Sequence, residues 1–196
     1  MPYSSSEGKG FFKDWLFHMM AAKHIRTIMD IGAGSGGYAD IVKQCVNDVK
    51  QWNPDLSNSY VLNGCEIYKK YIDQFKLEAK YHNIFNTDAF TAVQGSQTYD
   101  LFILGDVLEH LEKDKAIELV NLIKQRSKFI YISTPVKPFK PWVVGYNQGK
   151  EEWQENIYEK HLHYWSHDEL MQFKPLWVIP YLVVEVIIIE GDLANA

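Results

Sequence analysis

The chain alternates short, strongly apolar runs with longer segments whose apolar residues recur at helical spacing. Residues 38–52 are a clear case of the second kind, because Ile41, Val42, Cys45 and Val49 fall on one side of a helix, and "YKKYIDQFKLEAKYH" also predicts a helix. The runs rich in β-branched residues are "IRTIMDIG", "SYVLNGCEIY", "HNIFNTDAF", "YDLFILGDVLEHL" and "KFIYISTP". This repeated strand-then-helix order predicts a parallel sheet with helices on both faces.

The two ends of the chain depart from this alternation. Residues 11–23 mix apolar and charged positions at helical spacing and predict a helix before the first strand, within an N-terminal helical segment of residues 1–24. Near the C-terminus, "PLWVIPYL" and "VVEVIIIEG" follow each other without room for a helix, which predicts an antiparallel pair. The expected fold is therefore α/β, a Rossmann-like, doubly wound, seven-stranded, mostly parallel sheet with an antiparallel last strand.

A long irregular segment, residues 134–165, follows the fifth strand. It carries several prolines, tryptophans and histidines, and loops at the carboxyl edge of a parallel sheet commonly contact substrates. We expect a substrate-loop insertion within a single domain that spans residues 1–196. The aromatic residues that are candidates for covering a bound ligand are Trp142, Tyr146, Trp153 and Trp165.

The composition is that of an ordinary globular chain of 196 residues with a formal net charge of -5. This acidic balance gives no general attraction to phosphate backbones and disfavours nucleic acid as a partner. Cys45 and Cys65 are in neither a CxxC pair nor a zinc-ligand spacing, so we expect free thiols in a reducing, cytoplasmic compartment. The longest apolar run contains Pro180 and Glu185 and is too short to span a membrane.

The glycines of "TIMDIGAGSGGYADIV" fit two nucleotide-binding templates. Gly32, Gly34 and Gly37 form GxGxxG, whereas Gly32, Gly34 and Gly36 form GxGxG. A dinucleotide loop receives a diphosphate on backbone N–H groups at a helix N-terminus, and an acid at its mouth would oppose that anion. Asp30 is such an acid. Its carboxylate suits a ligand with an ammonium group and no phosphate, such as S-adenosylmethionine (SAM).

Further acids follow the next predicted strands. Glu66, at the end of the second strand, is placed to accept hydrogen bonds from both hydroxyls of a ribose, a contact that NAD would also require. Asp88, after the third strand, can reach an adenine amino group or instead cap the next helix. Asp106, after the fourth strand, borders the position of the methionine part of SAM.

In this order, the motifs resemble those of class I SAM-dependent methyltransferases. The resemblance rests on "MDIGAGSGGY", "CEIY", "NTDAF" and "YDLFILGDVLEHL", covers residues 25–135 and extends to the reversed last strand. It implies SAM as the cofactor. The residues that it implies for the cofactor site are Asp30, Gly32, Gly34, Gly36, Glu66, Asp88 and Asp106.

Asp106, Glu109 and His110 are spaced to share one face at the start of a helix, and two interpretations are open. In one, the acids stabilise the helix N-terminus and His110 packs. In the other, they bind magnesium, manganese or a similar ion together with His161 or His163, since the ExxEH motif of some magnesium-dependent O-methyltransferases resembles this segment. Because the first acid here is Asp, we favour the structural interpretation and expect no metal and no effect of EDTA on activity.

The stretch "YEKHLHYWSHDEL" contains the candidate catalytic residues, His161 and His163. In an extended segment both face the same way as Trp165, and the ordinary pKa of histidine suits a base near neutral pH. Ser166 and Glu169 predict a capping box that opens a helix.

The expected function is SAM-dependent transfer of a methyl group to a small-molecule acceptor, with oxygen as the favoured atom. Methyl transfer from a sulfonium is an in-line displacement, so the protein mainly aligns the reactants and excludes water. The sequence has neither a separate RNA-binding domain nor an NPPY-type tetrapeptide, which ranks a nucleic-acid or protein substrate second. A non-catalytic SAM- or NAD-binding module is the third alternative, and the oligomeric state is left open.

Overall fold

A seven-stranded sheet forms the centre of the protein in a computed structural model that describes residues 6–22, 24–52, 60–95, 97–136 and 156–194. The order of the strands across the sheet differs from their order in the chain, and is β3-β2-β1-β4-β5-β7-β6. The strands are β1 (Thr27–Ile31), β2 (Val61–Cys65), β3 (Asn83–Phe85), β4 (Tyr99–Gly105), β5 (Ser127–Pro135), β6 (Trp177–Pro180) and β7 (Val184–Glu190).

The directions of the strands confirm the expected fold class. Strands β1 to β5 pair in parallel, and Ile28 of β1, for example, lies opposite Leu62 of β2 and Leu101 of β4. Strand β7 is antiparallel to both of its neighbours, β5 and β6. The antiparallel pair predicted near the C-terminus is therefore present, and the last strand of the chain is the reversed one.

Helices cover both faces of the sheet. Their bounds are α1 (Lys9–Ala21), α2 (Gly37–Trp52), α3 (Lys69–Gln74), α4 (Ala89–Gly95), α5 (Lys113–Lys124) and α6 (His167–Met171). Buried residues of α1 to α3 pack in one core, and those of α4 to α6 pack in a second core on the opposite face. Strand β4 contributes Leu101 and Ile103 to the first core and Phe102 and Leu104 to the second. This burial on both faces is what its uninterrupted apolar run predicts.

The order in which the chain adds strands to the sheet reverses between β1 and β4. From β1 it continues to β2 and β3 on one side, and from β4 it continues to β5 on the other. Such a switch point leaves a crevice at the carboxyl ends of the two strands, which is where open α/β sheets bind ligands. The ends of β1 and β4 are therefore the expected position of a functional site.

Two predicted helices are wrong in extent. The segment predicted as one helix behind β2 is broken, because α3 ends at Gln74 and Lys76 adopts a left-handed conformation with φ 51° before a 3-10 turn. The helix after β4 begins at Lys113, and a separate 3-10 turn covers Leu108–His110. Asp106 has φ 57°, which no residue in a right-handed helix adopts.

Among the residues that the structure describes, no helix has both the length and the apolar composition needed to cross a membrane. Trp142, Tyr146 and Trp153, which are the aromatic residues expected to cover a ligand, lie outside the described residues, together with most of the 134–165 segment.

Candidate functional site

Acidic side chains stand at the carboxyl ends of adjacent strands. Asp88 follows β3, Glu66 follows β2, Asp30 lies near the end of β1, and Asp106 follows β4. These strands are neighbours in the order β3-β2-β1-β4, so the acids lie along one edge of the sheet. A row of carboxylates at a ligand-binding edge favours a cationic ligand over a diphosphate.

The loop between β1 and α2 has the conformation that its glycines predict. Gly32, Gly34 and Gly36 have φ values of 70°, 52° and 76°, a region that strains residues with a side chain. At Gly32 a Cβ atom would also lie 2.9 Å from Cγ2 of Val107. The glycine loop therefore passes directly under the turn that follows β4.

Glu66 connects the end of β2 to this loop. Its Oε2 accepts a hydrogen bond from the Gly34 N–H at 2.9 Å, and its Oε1 accepts one from the Tyr68 N–H at 2.8 Å. Burial raises the pKa of Glu66, and the two backbone donors oppose that rise. Each carboxylate oxygen has a further lone pair, so Glu66 can still accept hydrogen bonds from the hydroxyl groups of a ligand.

Asp30 is a buried carboxyl group at the head of the glycine loop, with 1% of its surface exposed. Tyr81 donates its hydroxyl hydrogen to Oδ2 of Asp30 over 2.5 Å. Burial raises the pKa of Asp30 to about 7; the Tyr81 hydrogen bond lowers it, and the negative charge of Glu66 raises it further. Since water solvates this carboxylate poorly, a cationic group supplied by a ligand would stabilise its charged form.

Lys80 and Tyr81 are site residues that the sequence did not predict, because they fall in the segment whose pattern indicates a helix. Lys80 donates to the Ser35 carbonyl at 3.1 Å and pairs with Asp40 at 2.6 Å, so it holds the glycine loop from outside. The sequence did contain one indication of the Tyr81 contact, because a glycine inside a strand often marks a position where another group closely approaches the backbone. At Gly64 of β2, a Cβ atom would lie 2.8 Å from Cε1 of Tyr81.

Asp88 and Asp106 already have partners within the protein. Asp88 caps α4, since its carboxylate accepts hydrogen bonds from the backbone N–H of Thr91 at 3.0 Å and from the Thr91 hydroxyl at 2.6 Å. These bonds lower the pKa of Asp88. Asp106 accepts a hydrogen bond from the Ser133 hydroxyl at 3.1 Å. The capping alternative for Asp88 is thus observed, and contact with a cofactor stays a prediction for both acids.

A second group of polar side chains lies after β4 and consists of Glu109, His110 and His161, which we call the Glu109 cluster. Each residue offers one ligand atom, and the three atoms lie within 4.8 Å of one another. The ring centroids of His110 and His161 are 4.8 Å apart. The Leu162 N–H donates to the Glu109 carbonyl at 2.8 Å, which holds the segment containing His161 against the turn.

The predicted arrangement of Asp106, Glu109 and His110 on one helix face is wrong. Glu109 and His110 lie in a 3-10 turn, and Asp106 has φ 57° and bonds to Ser133 instead. The convergence with a distant histidine, which the sequence considered for His161 or His163, is observed for His161.

Hydrogen bonding leaves the acceptor atoms of the Glu109 cluster facing one another. His110 Nδ1 donates to the Lys160 carbonyl at 3.2 Å, and burial lowers the pKa of His110, so its Nε2 is an unprotonated acceptor. This atom lies 4.0 Å from Oε1 of Glu109. Glu109 is fully buried; its Oε2 accepts from the Thr134 hydroxyl at 3.1 Å, and its Oε1 has no hydrogen-bond partner among the described residues.

The protonation of Glu109 follows from this geometry. Burial, and then the negative charge of Asp106, raise the pKa of Glu109 well above its usual range. A buried carboxylate without a counter-charge is unfavourable, and here it would face a second acceptor. The cluster therefore requires either a proton on Glu109 or a cation between its three ligand atoms.

Comparison with known proteins decides the fold. No protein-family model and no curated protein matches this sequence. The N-terminal domain of EvdMO1, with S-adenosylhomocysteine (SAH) bound, superposes with a TM-score of 0.61 at 14% identity, over 95% of this chain and 82% of that chain. Magnesium protoporphyrin IX methyltransferase (ChlM) from Synechocystis PCC 6803, with SAM bound, has a TM-score of 0.54 at 12% identity, over 91% of this chain and 77% of that chain. The methyltransferase domain of bacterial CtHen1 has a TM-score of 0.60 at 12% identity, over 91% of this chain and 97% of that chain.

The chain has the class I methyltransferase fold. At identities this low, the structural similarity establishes the architecture alone. The roles of individual residues rest on the geometry of this chain.

Within the methyltransferase fold, the two candidate catalytic histidines have different surroundings. Burial and the nearby His110 lower the pKa of His161 to about 4, so its imidazole is neutral. His163 packs on Trp165, with ring centroids 5.1 Å apart, and its Nε2 has no hydrogen-bond partner among the described residues. Burial lowers the pKa of His163 as well. A pKa of about 4 does not favour His161 as a base near neutral pH, while a catalytic role stays a prediction for both histidines.

The junction after these histidines is as predicted. Ser166 caps α6, and Ser166 and Glu169 form the reciprocal capping box. His167, the first residue of α6, pairs through Nδ1 with Oε1 of the buried Glu185 at 2.9 Å, so it joins α6 to β7.

Proposed function

We propose that the protein is a SAM-dependent methyltransferase. The observation that carries this proposal is the buried carboxyl group of Asp30 at the head of the glycine loop. The negative charge of Glu66 acts on this group and raises its pKa. SAM offers an α-ammonium and a sulfonium to this acidic edge, and it has no phosphate for the acids to repel. EvdMO1 and ChlM, which have the same fold, were crystallised with SAH and SAM respectively, which supports the same cofactor here.

The residues of the edge fit SAM in their spatial order. Glu66 suits the ribose hydroxyls, and Asp88 beside it suits the adenine amino group. The positive φ values of Gly32 and Gly34 shape the loop beside these acids. Asp30 and Asp106, at the switch point, suit the positively charged methionine end.

The acceptor that we propose is a hydroxyl oxygen of a small molecule. A formal net charge of -5 disfavours a polyanionic substrate such as nucleic acid. ChlM is named for a small-molecule substrate, magnesium protoporphyrin IX. The two cysteines, Cys45 and Cys65, are free and buried, which supports a proposed cytoplasmic location.

We also propose that the Glu109 cluster binds a divalent metal ion, which reverses the expectation of no metal. A carboxylate and two neutral imidazoles form a common ligand set for first-row divalent ions. The hydrogen bond from His110 Nδ1 to the Lys160 carbonyl is the outer contact typical of metal-binding histidines, and it leaves Nε2 available. A bound cation would polarise the acceptor hydroxyl and so lower its pKa. Thr134 orients the Glu109 carboxyl group in this site, because its hydroxyl donates a hydrogen bond to Oε2 of Glu109.

Oxygen as the acceptor atom requires a group that receives the hydroxyl proton. His163 is our candidate, because its imidazole is neutral and its Nε2, although buried, has no hydrogen-bond partner among the described residues. The predicted catalytic pair then divides into a metal ligand, His161, and a base, His163.

A methyl-transfer assay tests the proposed function. The purified protein is incubated with methyl-labelled SAM and Mn²⁺ or Mg²⁺, together with a panel of hydroxylated aromatic compounds and sugars, with total RNA, or with a protein extract. We expect label in the small-molecule fraction. Label confined to RNA or protein would favour the other acceptor classes, and SAM binding without transfer to any acceptor would favour a non-catalytic module.

A further inference from the structure

The first residue of α1 carries a positive charge into the acidic edge of the sheet. The Lys9 ammonium lies 5.5 Å from the centroid of the Tyr38 ring, and a Cβ atom on Gly37 would be 3.5 Å from Lys9 Nζ. Gly37 and Tyr38 form the first turn of α2, directly after the glycine loop. Lys9 therefore reaches the switch point between β1 and β4 from a part of the chain outside all of the cofactor motifs.

The position of Lys9 is fixed by the two residues before it. Glu7 accepts a hydrogen bond from the Val183 N–H at 3.0 Å, which ties this segment to the β6-β7 hairpin. Gly8 has φ 80°, and a Cβ atom there would lie 2.5 Å from Cγ2 of Val186. The start of α1 is thus anchored on β7, and this anchoring directs the Lys9 side chain toward the glycine loop.

The negative charges that act on Lys9 are those of the acidic edge of the sheet. Burial lowers the pKa of Lys9, and the negative charges of Asp106 and Asp30 oppose that shift. The second lysine near the glycine loop, Lys80, is paired with Asp40 and with the Ser35 carbonyl. Lys9 is therefore within electrostatic reach of both Asp30 and Asp106.

We propose that the Lys9 ammonium binds the α-carboxylate of SAM and SAH, while Asp30 binds the α-ammonium group of the same amino-acid moiety. This inference rests on the proposed function. The amino-acid end of SAM is a zwitterion at neutral pH, so it requires an anionic and a cationic partner close together. Lys9 and Asp30 provide that pair, and the dipole of α2 adds positive potential at its first turn.

Without Lys9, the acidic edge would repel the carboxylate that accompanies the ammonium of SAM. Lys9 therefore determines specificity for ligands that carry the complete amino-acid end. A purely structural role, in which Lys9 only neutralises the acids, makes a different prediction, because it would not distinguish ligands with and without a carboxylate.

Calorimetric titration with three ligands separates these roles. SAH carries the carboxylate, decarboxylated SAH lacks only that group, and 5′-methylthioadenosine lacks the whole amino-acid moiety. We expect the wild type to bind SAH about 10–100-fold more tightly than decarboxylated SAH. We expect Lys9→Met to lose SAH affinity by the same factor, with affinities for decarboxylated SAH and 5′-methylthioadenosine within about twofold of the wild type.

Two further variants serve as controls. Lys9→Arg keeps the positive charge and should retain the preference for SAH over decarboxylated SAH. Lys13 lies on the same helix and pairs with Asp48 at 3.7 Å, away from the glycine loop. Lys13→Met should therefore leave all three affinities unchanged.

Equal loss of affinity for SAH and decarboxylated SAH in Lys9→Met would overturn the inference, and so would an unchanged SAH affinity. Both results leave the proposed function intact, because the wild type still binds SAH. A wild type that binds neither SAH nor SAM would contradict the proposed function and this inference together. If Lys9→Met does not fold, as judged by its thermal unfolding, the wild type still decides, since equal affinities for SAH and decarboxylated SAH would overturn the inference.

Discussion

Tyr81 donates a hydrogen bond of 2.5 Å to the buried carboxyl group of Asp30. The bond joins the turn after α3 to the head of the glycine loop, and it opposes the effect of burial on a carboxyl group whose pKa is about 7. Ligand affinity, stability and pH dependence are therefore all expected to respond to changes at this pair.

Asp30→Asn is expected to weaken SAH binding by about 1–3 kcal/mol, because it removes a charge-assisted contact while preserving shape. Calorimetry measures this loss. Asp73→Asn is a matched control, since Asp73 is exposed and pairs with Lys69 on the surface of α3. An Asp30→Asn protein with wild-type affinity for SAH would contradict the assigned role of the carboxylate.

The same substitution is expected to stabilise the unliganded protein. The pKa of Asp30 rises from 3.8 to about 7 on folding, so the folded state binds more protons than the unfolded state between these values. The contribution of Asp30 to stability is fully present below pH 3.8 and is lost as the pH rises through about 7. Thermal unfolding of Asp30→Asn at pH 8 should therefore show a higher midpoint than the wild type, with a smaller difference at pH 5. A lower midpoint at pH 8 would mean that the charged carboxylate is well solvated in the fold.

Tyr81→Phe is expected to change the pH dependence of SAH binding. In our proposal ionised Asp30 binds the ligand ammonium, so wild-type affinity should fall as the pH is lowered through about 7. Loss of the Tyr81 donor raises the pKa of Asp30 further, and the midpoint of this transition should move to higher pH. Tyr60→Phe is the control, because Tyr60 precedes β2 at the opposite edge of the sheet. An identical pH profile for Tyr81→Phe and the wild type would refute the coupling.

Gly64→Ala tests the placement of the Tyr81 ring. A Cβ atom at Gly64 would lie 2.8 Å from Cε1 of Tyr81, so we expect the ring to move and to lose its bond to Asp30. We expect a loss of stability of about 1–3 kcal/mol from overpacking, and weaker SAH binding. Gly95→Ala is the matched control, because its added Cβ meets nothing within 4 Å. Equal SAH affinities for the two variants would contradict this placement.

Removal of divalent metal ions with EDTA is expected to abolish methyl transfer, and added Mn²⁺ should restore it. Glu109→Gln and His161→Gln should each weaken Mn²⁺ binding by about tenfold or more. Affinity for Mn²⁺ should rise with pH, because burial raises the pKa of Glu109 and the ion displaces its proton. His24→Gln, an exposed histidine outside the cluster, should have no effect. Full activity after chelation would support the structural interpretation of these residues.

The acidic edge of the sheet was predictable because its information is local. Asp30 lies near the end of one apolar strand and Glu66 directly follows another, and parallel strands bring their carboxyl ends to one edge. The glycine pattern adds the turn between β1 and α2. These features depend on neighbouring residues in the chain, so the hydrophobic pattern and a few motifs suffice to place them.

The remaining contacts arise from tertiary packing. Tyr81 reaches Asp30 only because Lys76 breaks the helix that the apolar pattern predicts. Lys9 comes from α1, and its position depends on contacts with β7. His161 meets Glu109 through a segment that no regular spacing relates to the turn after β4. In each case, chain reversals that the sequence pattern does not record bring distant residues together.

Calorimetric titration of the wild-type protein with SAH and, separately, with NAD tests the central claim most directly. Both ligands could use Glu66, but the acidic edge at Asp30 should accept the ammonium of SAH and repel the diphosphate of NAD. We expect SAH to bind with a dissociation constant in the micromolar range, on the order of −8 kcal/mol, and NAD to show no binding under the same conditions. Binding of NAD without binding of SAH or SAM would contradict the account.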